Sequence, residues 1–268
     1  VVDAPNSGTV DTDPVTGADV AFDSFENLTG GVGDDTFDFT LPTSSLTGDL
    51  DGAGGTNTLS LVAGASIGGT VSNVDVTLSV TGTTEPDDIV IRRALVNGDL
   101  VLQAEVNGAV NTFFTPVGPL NVSLTVSGLD NTDPLTADTL TLDYASGALP
   151  NEITFDGGLG VERVRVLGDD TEDADFAATL DVNGRRVVTL TDGGGVTRTV
   201  LVDTGALYEL QAIDSVTVIS AGTADVVALS RVTTSSVSSQ VALGIAGING
   251  ETLELIDVDR VSLDLKND

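Results

Sequence analysis

The sequence predicts an all-β protein, a parallel β-helix or β-solenoid with some hairpin insertions, on three observations. A Gly- or Thr-rich turn, a polar side chain and a short alternating strand recur along the chain. With no Trp, Met, Cys or His, two Tyr and eight Phe, the core must come from Val, Leu, Ile, Ala and Thr. Small β-branched residues fill thin stacked layers better than a bulky globular centre. Helical spacing is nearly absent: Leu207, Leu210 and Gln211 within 204–212 have it, but that stretch is short enough for a strand. The alternative arrangement is a tandem of antiparallel β-sandwich modules of about 90 residues each.

The recurring unit is legible from its polar anchors. Asp35 is followed by Phe37 and Phe39, Asn57 by Leu59 and Leu61, and Asp87 by Ile89 and Ile91. Asp138 precedes Leu140 and Leu142, Glu162 precedes Val164 and Val166, Asp225 precedes Val227 and Leu229, and Glu251 precedes Leu253 and Leu255. Successive anchors are 22, 30, 51, 24, 63 and 26 residues apart. Read as single or multiple turns, these steps give a period of roughly 20–30 residues, the range of solenoid coils. A second apolar–Asn/Asp–apolar element occurs around Asn27, Asp75, Asn121 and Asp214, so two strands per coil with a polar corner are expected.

Asn97-Gly98 and Asn183-Gly184 predict two-residue hairpins, pairing 92–96 with 99–104 and 178–182 with 185–190. Residues 1–19, rich in Pro, Asp and Thr, read as an irregular lead-in. Residues 20–268 read as one elongated domain with a soft seam near 168–175.

The best-preserved turn is Gly30-Gly31-Val32-Gly33-Asp34-Asp35-Thr36-Phe37-Asp38, which reads G-G-x-G-x-D-x-U-x. With Phe25-Glu26-Asn27-Leu28-Thr29 before it, it resembles the calcium-binding repeats of RTX, or haemolysin-type, proteins, a phrase found in very large bacterial extracellular and surface proteins. The resemblance is specific over about 15 residues and diffuse elsewhere. It implies glycines that expose carbonyls and a carboxylate at Asp35, an oxygen-only set suited to Ca2+. In RTX proteins each ion is shared between successive turns. The next turn here offers Asp49 and Asp51, with Asn57 in place of the expected acid. The implied calcium site is therefore Gly31, Gly33, Asp35, Asp49 and Asp51. The competing reading is that glycines and acids merely shape turns.

The formal charge of −31 comes from 41 acids against ten bases, of which Lys266 is the single lysine. Such a surface repels nucleic acid and anionic lipid, so neither is expected as a partner. It suits a high-salt medium or bound cations. No apolar run approaches the ~20 residues of a membrane span. The N-terminus has neither the basic nor the apolar stretch of a signal peptide, so a mature chain or a segment of a longer one is expected. Asp87-Asp88 and 169–173 read as solvated acidic loops. Asn27-Leu28-Thr29 and Asn121-Val122-Ser123 fit the glycosylation sequon, a frequent chance match in a Thr-rich chain.

Without His or Cys, the usual nucleophile–base pairs are missing, so no enzyme is expected. A carbohydrate-active β-helix, lyase or depolymerase, is the alternative. It would rely on carboxylates with Arg92, Arg93, Arg163 or Arg165. The functional expectation is a structural or adhesive segment of a bacterial extracellular or cell-surface protein, stabilised by calcium. Its expected partners are copies of itself or other surface and matrix components.

Overall fold

The computed structural model describes residues 2–4, 7–11, 19–23, 25–113, 121–129, 137–158, 162–168, 173–180, 182–183, 185–202, 207–219, 226–233, 239–246 and 252–264. Among them every regular element is a β-strand, and the strands form parallel and mixed sheets. No helix among the described residues is long and apolar enough to cross a membrane. The chain divides into two compact units: Val1–Val80 with Ala94–Ala104 and Val110–Thr125, and Thr81–Arg93 with Glu105–Ala109 and Val126–Asp268.

In the first unit, Thr36–Phe39, Thr58–Val62 and Asp75–Thr81 pair in parallel with Thr36, Thr58 and Asp75 in register. That register places Phe37, Leu59 and Val76 in one column and Phe39, Leu61 and Leu78 in the next. Apart from the partly covered Phe37, these side chains are buried. Alternation explains the burial, since every second residue of a strand points to the same face. Two shorter parallel ladders accompany this one. Leu28–Thr29 pairs with Leu50–Asp51 and that with Val71–Ser72, while Ser45–Leu46 pairs with Ser66–Ile67. One repeat thus contributes to three ladders, where two strands were expected. The extra ladders bury Leu46, Ile67, Leu50 and Val71.

In the second unit, Asp88–Val96, Thr139–Asp143, Arg163–Leu167, Leu207–Ile219 and Thr252–Asp264 form a parallel series. Its register aligns Ile89, Leu140, Val164, Tyr208 and Leu253, then Ile91, Leu142, Val166, Leu210 and Leu255. From Ile89 through Leu210 these side chains are buried. Glu152–Asp156 pairs in parallel with Thr197–Val202, burying Ile153, Phe155, Val200 and Val202.

Antiparallel pairing enters as well. The strand Ser7–Asp11 pairs with Val2–Ala4 and with Asp19–Asp23, so the segment expected to be an irregular lead-in contains strands. Asp173–Leu180 pairs with Arg186–Thr191, as the Asn183-Gly184 turn signal predicts. Val226–Thr233 pairs antiparallel with Ser239–Ala246. The strand after Asp225 therefore stands outside the parallel series to which its spacing assigned it, and Asp225 itself lies outside the described residues. An alternating run serves either strand direction, which is why spacing misplaced it.

Asn97 and Gly98 both take positive φ, 55° and 100°, as a type I′ turn requires between Asp88–Val96 and Asp99–Val106. Asn107-Gly108 repeats the device at φ 51° and 81° before Ala109–Thr112. The helix-like spacing around Leu207 belongs to the strand Leu207–Ile219. Of the proposed seam, residues 169–172 lie outside the described residues, and the flanking strands Arg163–Leu167 and Asp173–Leu180 fall in the same unit.

Candidate functional site

The Gly30–Asp38 turn is organised around one carboxylate. Asp35 Oδ2 accepts the Gly31 N–H at 2.7 Å, folding the turn back on itself. A Cβ on Gly30 would lie 2.5 Å from that oxygen and 2.6 Å from the Gly52 carbonyl, so the position admits only glycine without rearrangement. Gly31 and Gly33 are not so confined. Neither takes a positive φ, and a Cβ on Gly33 would meet nothing within 4 Å.

Adjacent turns are tied by side chains at the anchor positions. The Asp35 N–H donates to Asn57 Oδ1 at 2.9 Å, and Asn57 Nδ2 donates to the Asn73 carbonyl at 3.0 Å. This explains the amide where an acid was expected. The next turn presents a carbonyl, which a carboxylate cannot bond, whereas a carboxamide accepts on one side and donates on the other. A parallel tie runs along the neighbouring corner. Asn27 Oδ1 accepts the Asp49 N–H at 2.7 Å, and Asp49 Oδ1 accepts the Thr70 N–H and hydroxyl at 2.7 and 2.8 Å. Asp51 Oδ1 accepts from Ala53 N at 2.9 Å and Asn73 Nδ2 at 2.8 Å. The Thr70 backbone N–H holds the Asp49 carboxyl below its ordinary range, and the Ala53 N–H does the same for Asp51.

The five residues of the RTX-like site thus have places in the turns. Asp35, Asp49 and Asp51 each spend an oxygen on closing or joining turns, and the Gly31 carbonyl accepts the Gly54 N–H at 3.1 Å. Among the described residues no three acids come together as a metal-ligating group.

The second unit repeats the device with buried acids. The Asp87 N–H donates to Asp138 Oδ1 at 2.8 Å, and the Asp138 N–H donates to Glu162 Oε2 at 3.2 Å. All three anchors are buried, Asp138 completely. Asp87 is therefore not part of a solvated acidic loop. It accepts Thr83 N at 2.6 Å and the Thr83 hydroxyl at 3.1 Å, and it accepts Asn107 Nδ2 as well. A Cβ on Gly82, Gly128 or Gly157 would collide with the carboxyl group of Asp87, Asp138 or Glu162, respectively. Thr83 and Asn107 escaped the sequence reading. The Asn-Gly signal at 107–108 matches the one used at 97–98, and nothing in the sequence ties it to Asp87.

The arginines fall into distinct settings. Arg92 pairs with Glu105 at 2.8 Å, and Arg165 Nε pairs with the buried Glu209 at 2.8 Å. Arg163 shares the outward face of its strand with Arg165, and Arg93 Nε donates to the Ala148 carbonyl at 2.8 Å. The chain matches no family model, no curated protein and no solved structure.

Proposed function

We propose that the chain is a structural or adhesive segment of a bacterial extracellular or cell-surface protein, wound as a parallel β-solenoid that associates with its own copies or with matrix components. The observation that carries this reading is the use made of the polar turn residues. Asp35, Asn57, Asp87, Asp138 and Glu162 bind the backbone of a neighbouring turn or their own turn, so their chemistry goes into holding strands in register. A stack built this way transmits force along backbone hydrogen bonds and leaves other acids, such as Asp34, Asp49 and Asp75, exposed. Calcium in this reading is a counter-ion on a carboxylate-rich outer face, where it reduces the repulsion of a −31 chain.

Of the four arginines on which the carbohydrate-active alternative relies, Arg92 and Arg165 are engaged by Glu105 and Glu209. The test is light scattering with electron microscopy of the purified chain in calcium and in chelator, beside a screen for cleavage of acidic polysaccharides. Elongated particles that associate at high concentration are expected. Compact monomers that depolymerise a polysaccharide would overturn the reading.

A further inference from the structure

Ten bases serve a chain with 41 acids, so a place where two guanidinium groups lie close enough to feel each other's charge stands out. Arg93 and Arg198 both reach the corner between the strands Thr139–Asp143 and Glu152–Asp156. Arg93 Nε donates to the Ala148 carbonyl at 2.8 Å, and Arg198 Nε donates to the Leu149 carbonyl at 3.2 Å. Their acceptors are consecutive peptide groups, which makes the two cations neighbours. Arg198 is buried, and its Nη1 is met by Asp192 Oδ2 at 2.9 Å and the Val196 carbonyl at 3.3 Å. Arg93 is half-buried and has no carboxylate partner among the described residues, where its two terminal nitrogens bond nothing.

We propose that Arg93, backed by Arg198, is an oxyanion subsite that takes a single carboxylate or sulfate group. The geometry suits such a ligand: Nε is committed to the corner, and the terminal edge of a planar guanidinium offers paired donors to two oxygens. The electrostatics agree. Burial first, and then the charge of Arg198, pull the Arg93 guanidinium below its ordinary pKa, so its cationic form lacks a full counter-charge. Asp192 is spent on Arg198, and an added oxyanion would give Arg93 a counter-charge of its own. The field of a −31 chain repels a dense polyanion, so the fitting ligand carries one such group on a small or otherwise neutral body.

The group can arrive as a free ion or as the carboxylate of a sugar acid, and the two are separated by using sodium sulfate and sodium glucuronate as probes. Each is titrated by calorimetry and thermal melting against sodium chloride at equal ionic strength. Saturable binding of sulfate alone assigns a free-ion site. Saturable binding of glucuronate, with or without sulfate, assigns a carboxylate site open to sugar acids. In either case Arg93→Gln is expected to weaken binding at least about tenfold, the scale of one charge-assisted bond. Asp192→Asn keeps the oxygen that accepts Val196 N and Gly194 N but removes the competing charge, so it should tighten binding. An equal response in wild type and Arg93→Gln would overturn the proposal. So would no saturable response to either probe, or no gain in Asp192→Asn.

Discussion

The side chain of Asn57 accepts the backbone N–H of Asp35 at 2.9 Å, across a separation of 22 residues. With Asn57 Nδ2 on the Asn73 carbonyl, three successive turns are linked through one buried carboxamide. The tie depends on a group that both accepts and donates, and this yields a direct expectation. Asn57→Asp removes the donor and turns a carboxylate toward the Asn73 carbonyl. It should cost about 1–3 kcal/mol, the scale for a buried polar group left without its partner. Urea unfolding of the two proteins measures it, and an unchanged midpoint would show the amide is not needed.

The glycines of the nonapeptide should separate by role. Gly30→Ala forces a Cβ against the Gly52 carbonyl and Asp35, and should lose about 1–3 kcal/mol through overpacking. Gly33→Ala meets open space and should change stability by less than about 0.5 kcal/mol, as surface substitutions do. Thermal melting of the pair suffices, and a calcium-ligating loop would instead make both sensitive only when the ion is present.

Asp138 gives the matching expectation in the second unit. Replacing this completely buried anchor by Ala leaves the Asp87 N–H without its acceptor, at about 1–3 kcal/mol. Asp138→Asn keeps an oxygen in place and should cost less. Equal losses in both variants would assign the effect to charge rather than to the tie.

Acid should loosen the first unit in a defined window. The Asp49 and Asp51 carboxyls are held below 3.8, the ordinary value for an aspartate, so the stability they contribute is fully present above that pH. It is lost as pH falls further, through their folded-state values. Protonation of the other acids meanwhile relieves the repulsion of the −31 charge, which acts in the opposite direction. The comparison that isolates the effect is wild type against Asp49→Asn with Asp51→Asn. The double variant should lose less stability than wild type between pH 4 and pH 2.5.

The sequence makes some of this architecture plain and hides the rest for identifiable reasons. Alternation after Asp35, Asn57, Asp87, Asp138 and Glu162 marks five buried strands, because period two is read directly from Val, Leu, Ile and Phe. The two-residue strands Ser45–Leu46 and Leu50–Asp51 are too short to show any period, so a third ladder per repeat was invisible. The step from Asn57 to Asp87 looked like one turn. The strand paired to Thr58–Val62 is instead Asp75–Thr81, whose anchor-equivalent position holds the apolar Val74. At the nonapeptide, the residue types fit both a calcium loop and a turn joined to its neighbour. Only the hydrogen bonds of Asp35, Asp49 and Asp51 show what their oxygens are spent on.

The measurement closest to the central claim is amide hydrogen exchange at Asp35, Asp87 and Asp138, followed by NMR in calcium and in chelator. Their N–H groups lie in turns, yet side chains of Asn57, Asp138 and Glu162 accept them. Ties between turns predict protection comparable to that of the neighbouring strand amides, with little change on chelation. Exchange at open-loop rates, or protection that appears only with calcium, would contradict the account.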